Sequence, residues 1–340
     1  MMNGSPRNIE FGPPPGPGPR KFDFGLVIGV DHYAGNELRG AVQDAEQFHD
    51  WLRLETGGGV AEEHARIVRS TLGAAAADDA HALLKREVDA NLEHLLNTAD
   101  ALHGGRRLYF HFSGHGHGST MENLALLLAS WSAMLAHALS SWKYRGYLDG
   151  IGLFEELVVS LDCCRSDGRA LGYPPEIKFE RRSERVGTRA FVAHATEARS
   201  WSFESAEDGR WQGVFTRRLL KVLRSAERGI SAIDLKRALE FPTMHSGQQA
   251  HVDNGLKETS WFGRRGTRPL LVVAFTRARG HVVLRGGSRR IVAEHDVEIG
   301  PDGTPAPWSL AVDPDLYKLE AGAEYVTFDH DGEAVLHVDF

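Results

Sequence analysis

The chain has 340 residues, 42% of them hydrophobic and 25% charged, with a net charge of −7. That length exceeds a comfortable single core and predicts one large domain plus a smaller one. The acidic balance excludes a globally basic nucleic-acid binder. No apolar run reaches the roughly 18 residues of a membrane span, and two adjacent cysteines exclude a disulfide scaffold and a thiolate zinc site.

Residues 1–20 hold six prolines and four glycines and read as a flexible tail. They contain no apolar signal-peptide core, so a reducing, cytoplasmic setting is expected. The run F-G-L-V-I-G-V at 24–30 suits a buried parallel strand, and Asp31-His32-Tyr33 follows it. A helix is predicted over 39–54. Its apolar residues Ala41, Ala45, Phe48 and Leu52 recur at helical spacing, and Asp44 falls on or beside that face. A carboxylate there requires a partner. The glycines at 57–59 lack the lysine and hydroxyl residue of a phosphate loop.

A short strand follows at 65–70, then an Ala- and Leu-rich helix over 74–97. The third strand, R-R-L-Y-F-H-F-S at 106–113, runs into Gly114-His115-Gly116. The apolar segment 124–128 fits strand or helix, and 141–150 reads as loop. The fourth strand, L-V-V-S-L at 157–161, ends in Asp162-Cys163-Cys164-Arg165-Ser166. A linker of about 25 residues follows, with the charged run E-R-R-S-E-R at 180–185. A fifth strand is predicted at 189–195. G-V-F-T at 213–216 opens a helix to about 224, and Ser231 with Asp234 has capping spacing for another.

Strands alternating with helices predict an α/β fold with a mostly parallel sheet covered on both faces, whose ligands bind at the carboxyl ends of the strands. His115, Cys164, Asp162 and Asp31 all fall just past strand ends, on that edge. From 266 onward the pattern changes to short alternating runs at 270–275, 281–284, 291–299, 308–312, 325–328 and 334–338. This predicts a small all-β domain at 266–340, after a tail at 1–20 and a main domain at 21–265. The small domain carries seven Lys/Arg and twelve Asp/Glu, which favours a contact with a regulatory protein partner over nucleic acid.

S-G-H-G at 113–116 and D-C-C-R-S at 162–166, with the histidine 49 residues before the second cysteine, have the spacing of caspases. With G-L-V-I-G-V-D-H-Y, L-R-G-A-V-Q-D-A and G-V-F-T-R-R-L-L, the chain resembles the caspase-like cysteine proteases over about 22–260. It is more similar to metacaspases and bacterial caspase-like proteins than to animal caspases. The resemblance implies a three-layer αβα sandwich. It implies Cys164 as nucleophile, His115 as general acid and base, and the N–H groups of Gly116 and Cys164 as oxyanion hole. Asp44, Asp162 and Ser113 match positions that take Arg or Lys of a substrate. It also implies self-cleavage in the linker, at Arg181, Arg182 or Arg185.

The chemistry is consistent with these roles. A thiol attacks as thiolate and requires a basic neighbour, and a buried carboxylate pairs well with a guanidinium. Histidines 111 and 117 are rivals of His115. His111-x-x-x-His115 would bind a metal only on a helix, and this stretch reads as strand and turn, so no metal or cofactor is expected. The expected function is a regulated cysteine endopeptidase acting on a protein or peptide, without nucleic-acid or membrane partners. The alternatives are a signal-gated effector of bacterial defence and an inactive caspase-like binding module; intact His115 and Cys164 argue against the latter.

Overall fold

The computed structural model describes residues 22–33, 36–70, 80–118, 124–129, 138–165, 187–226, 229–241, 247–257, 260–263, 270–277, 280–286, 291–301, 303–312, 315–330 and 335–340. The linker arginines Arg181, Arg182 and Arg185 and the tail 1–20 lie outside them. Two compact units form, one over 19–266 with 285–291, the other over 267–284 and 292–340.

In the larger unit the elements are β1 (Asp23–Gly29), α1 (Ala41–Arg53), β2 (Ala65–Arg69), α2 (Ala80–Ala101), β3 (Gly105–Ser113), β4 (Gly116–His117), β5 (Ala125–Leu127), β6 (Ala138–Ser140), α3 (Ser141–Ile151), β7 (Phe154–Asp162), β8 (Arg189–His194), β9 (Glu204–Glu207), β10 (Arg210–Gly213), α4 (Val214–Ser225), β11 (Ile230–Ser231), α5 (Ala232–Glu240), β12 (His251–Asn254) and β13 (Trp261–Phe262). The central sheet has the order β12-β8-β7-β3-β1-β2. Its pairs are parallel except β12 with β8.

Strand period two sorts the core into two layers. Phe24, Leu26, Ile28, Leu108, Phe110, Phe112, Leu157, Val159 and Leu161 pack with α2 and α3 on one face. Val27, Tyr109, Val158, Phe191 and Ala193 pack with α1, α4 and α5 on the other. This is the expected three-layer αβα sandwich. The loop reading of 141–150 is overturned: α3 occupies it, capped by the Ser140 hydroxyl, which accepts from Lys143 N at 3.3 Å, and closed by Gly152 at φ 59°. Ser231 caps α5 as its spacing predicts, accepting from Asp234 N at 3.1 Å.

The amino edge of the sheet is held by a buried ion pair. Arg107 donates to Glu156 through Nε at 2.8 Å and Nη2 at 2.5 Å, and Nη1 donates to the Trp261 carbonyl at 2.7 Å. Ser260 also donates to Glu156. Burial alone would raise the Glu156 carboxyl, but Arg107, Arg106 and Ser260 outweigh it and hold it below its ordinary range.

The second unit contributes β14 (Leu270–Ala274), β15 (His281–Arg285), β16 (Ile291–Asp296), β17 (Trp308–Ala311), β18 (Asp315–Ala321), β19 (Glu324–His330) and β20 (Val335–Asp339). They form two sheets, β17-β14-β20 and β16-β15-β18-β19. Leu271, Val273, Val282, Leu284, Tyr317 and Leu319 close one core between them. Strand β18 was not anticipated; its turn into β19 uses Gly322 at φ 61° and lacks the Asn-Gly or Asp-Gly signal of other hairpins. Among the described residues no helix is long and apolar enough to cross a membrane.

Two buried histidines predict an acid limit to stability. Burial pushes His111 from 6.5 down to about 3, and burial with the charges of Arg165, His251 and Arg145 does the same to His194. The unfolded chain binds these protons near 6.5, so stability is full above that pH and falls as pH drops toward the folded values. Each histidine should cost roughly 2–3 kcal/mol at about pH 4.5 relative to neutrality. Urea unfolding at the two pH values checks this, and His111→Phe should reduce the acid loss by about one such increment.

Candidate active site

Parallel register brings three strand ends level: Gly29 neighbours Ser113, and Ser113 neighbours Asp162. Beyond this row the chain turns, and Gly114 N–H donates to the Asp162 carbonyl at 3.1 Å. Side chains alternate across the sheet here. Ser113 and Asp162 face α1 and α4, as their bonds to Asp44 and Thr216 show. Cys163 joins the opposite core at 2% exposure. Cys164 is half-buried, and of the two thiols it is the one open to a reactant.

Cys164 Sγ accepts Ser202 N–H at 3.3 Å and lies 3.7 Å from the Ser202 carbonyl. The Gly114-His115-Gly116 turn packs against the cysteines. A Cβ added at Gly116 would lie 2.5 Å from Cys163 Sγ and 2.6 Å from the Cys164 carbonyl oxygen, so only glycine permits this approach. His115 donates through Nε2 to the Asn36 carbonyl at 2.7 Å. A carbonyl only accepts, so the proton of the neutral ring sits on Nε2 and Nδ1 is the basic nitrogen. Burial pushes the Cys164 thiol up, with Asp162 adding to it and Ser202 N–H opposing. Burial pushes His115 down, opposed by the Asn36 carbonyl. Both shifts disfavour the charged form of the group.

The acids lie one layer below. Asp44 accepts Ser113 Oγ–H at 2.9 Å and Gly213 N–H at 3.0 Å. Asp162 accepts Ser202 Oγ–H at 2.8 Å, Thr216 N–H at 2.9 Å and Thr216 Oγ–H at 2.8 Å. Both thus meet the amino terminus of α4, whose orphan N–H groups and dipole favour negative charge. A Cβ at Gly213 would fall on Asp162 Oδ2 and 2.7 Å from Asp44 Oδ2. Burial, then the neighbouring Asp162 charge, push Asp44 well up, and burial also raises Asp162. Close carboxylates in a buried site favour sharing a proton.

Asp31 serves α1 instead, accepting Ala41 N–H at 2.7 Å and Val42 N–H at 3.1 Å. His111 is part of the core, bonded to Ser160 Oγ at 2.8 Å and stacked on Phe48 at 4.4 Å. Among the described residues no three His, Cys, Asp or Glu side chains come together as a metal site. Asn36, Ser202, Gly213 and Thr216 complete the site and were not anticipated. All four act through backbone groups, which no residue type advertises, and Ser202 and Thr216 also through their hydroxyls.

A thiol and an imidazole presented at the carboxyl edge of a parallel αβα sheet, over buried acids, define a caspase-like architecture. A family model for the caspase domain matches residues 23–263, and the chain belongs to that family. Among solved structures it is similar to caspase-1 from Spodoptera frugiperda, at 12% identity and TM-score 0.46 over 74% of this chain and 93% of that one. It is also similar to a protein from Geobacter sulfurreducens, at 14% identity and TM-score 0.45 over 72% and 97%. Comparison with curated proteins gives no match.

Two outcomes are expected from this geometry. Alkylation of Cys164 by iodoacetamide should climb with pH through its ordinary 9.0, whereas an ion-paired thiolate would plateau below neutrality. Gly213→Ala should cost about 1–3 kcal/mol through overpacking against the two carboxylates. Gly187→Ala, with nothing within 4 Å of the added Cβ, should stay within about 0.5 kcal/mol in urea unfolding.

Proposed function

We propose that this chain is a cysteine endopeptidase that cleaves after Arg or Lys. The observation that carries the reading is the partition of the two thiols, Cys163 in the core and Cys164 open beside the His115 turn. Cys164 Sγ attacks the scissile carbonyl carbon as His115 Nδ1 takes the thiol proton. The Asn36 carbonyl keeps hold of Nε2–H and favours the imidazolium that forms. Gly116 and Cys164 N–H groups receive the developing oxyanion, each such donor contributing roughly 3–4 kcal/mol. The imidazolium then gives its proton to the leaving amine, the C–N bond breaks, and a thioester is left on Cys164. Water, deprotonated by His115, hydrolyses the thioester and restores the thiol.

Specificity rests on Asp44 and Asp162. A substrate guanidinium or ammonium would supply a cation, which is not found among the described partners of this buried pair, and would favour the ionised form of both acids. Ser113 holds Asp44 in place for it.

A fluorogenic peptide ending in Arg tests the reading. Wild type should cleave it, Cys164→Ala should lose about a thousandfold or more, and Cys163→Ala should retain activity. Asp44→Asn should lower kcat/KM for Arg by about 100-fold while leaving Cys164 alkylation intact. Cleavage that survives Cys164→Ala, or cleavage of Asp peptides in preference to Arg peptides, contradicts it.

A further inference from the structure

Resting on the peptidase reading above, we propose that Tyr33 is a positioning residue that holds both the imidazole and the oxyanion-hole peptide of the His115 turn. Tyr33 is 1% exposed and sits on the loop between β1 and α1. Its hydroxyl accepts His115 N–H at 2.9 Å and donates to the Leu127 carbonyl at 3.0 Å. Leu127 N–H in turn donates to the His115 carbonyl at 2.9 Å. Three hydrogen bonds thus close a ring through Tyr33, His115 and Leu127.

Peptide planarity gives this ring its consequence. The His115 carbonyl and the Gly116 N–H belong to one planar trans unit and point in opposite directions. Tying the carbonyl to Leu127 on β5 therefore turns the Gly116 N–H away from β5. Gly116 itself is packed on the Cys163 side chain and the Cys164 carbonyl. Meanwhile the Tyr33 ring lies 4.5 Å from the His115 ring, tilted by 54°. Three residues further along the same loop, the Asn36 carbonyl takes His115 Nε2–H. One loop therefore grips His115 at its main chain and at its ring. Burial pushes the Tyr33 phenol well above its usual range, so the proton it donates to Leu127 stays in place. A Cβ at Gly114 would lie 2.6 Å from the Tyr33 hydroxyl, so the glycine leaves room for the clamp.

Tyr33→Phe keeps the ring and removes the bridge. It should lower kcat about 10- to 100-fold with KM within about twofold, and weaken a peptidyl-arginine aldehyde, which needs the oxyanion hole, in the same proportion. Phe112→Leu, which trims another side chain packed on Gly114, should lower the melting temperature yet keep kcat per titrated thiol. Equal kcat losses in the two variants at matched stability, or a Tyr33→Phe loss confined to KM, overturn the proposal. Amide exchange provides a readout that does not require turnover. The His115 amide should be protected in wild type and should exchange at least about tenfold faster in Tyr33→Phe, with β1 unchanged. A rapidly exchanging His115 amide in wild type overturns the proposal without any variant. If no peptide is cleaved by wild type, the peptidase reading fails, and the exchange result still decides whether Tyr33 holds the turn.

Discussion

The row Gly29, Ser113, Asp162 is the constraint on which the site depends. Parallel pairing of β1, β3 and β7 sets these residues level across the sheet. A slip of one residue in either pairing would send each side chain to the opposite layer. Asp162 would leave Asp44, and Cys164 would exchange places with Cys163. The register is fixed by two dense apolar layers, one on each face, that cannot both be satisfied in a shifted arrangement. Packing of Phe110, Leu157 and Val27 therefore decides which thiol is buried in the core and which is half-buried.

The two edges of the sheet treat buried charge in opposite ways. At the amino edge Arg107 and Glu156 neutralise each other, with Ser260 and the Trp261 carbonyl satisfying what is left. Removing one partner of such a pair typically costs about 3–5 kcal/mol, because the other is left uncompensated. At the carboxyl edge two acids share a site whose described partners are hydroxyls and the N–H groups of α4. Those groups stabilise part of one negative charge, and the second is disfavoured. One edge is a closed ion pair, and at the other the described donors to the two acids are all hydroxyl and N–H groups. Burial likewise disfavours the charged forms of Cys164 and His115.

Much of this was legible in the sequence. Continuous apolar strands alternating with amphipathic helices specify the sandwich, and Asp44 stands out as an acid on a helix face otherwise made of Ala41, Ala45 and Phe48. The layer assignment of Cys163 and Cys164 follows from counting in twos from Asp162. What stayed hidden depends on main-chain groups or on distant segments. The Asn36 carbonyl and the Ser202 N–H carry no residue signature, and G-V-F-T marks the start of α4 without showing that its N–H groups meet the two acids. The hairpin β9–β10, which brings Glu204 onto the N–H groups of Arg39 and Gly40, is polar and short. Helix α3 was obscured by Gly146 and Gly150 within it, although Ser140 and Gly152 mark both its ends.

The central claim is that the open thiol of Cys164 meets an arginine-bearing substrate over Asp44 and Asp162. Mass mapping of the native protein after reaction with a peptidyl-arginine fluoromethyl ketone tests it most directly. The account predicts a single adduct on Cys164, formed faster than with the aspartyl analogue and blocked by an excess of arginine peptide. An adduct on Cys163, or faster labelling by the aspartyl reagent, would contradict it.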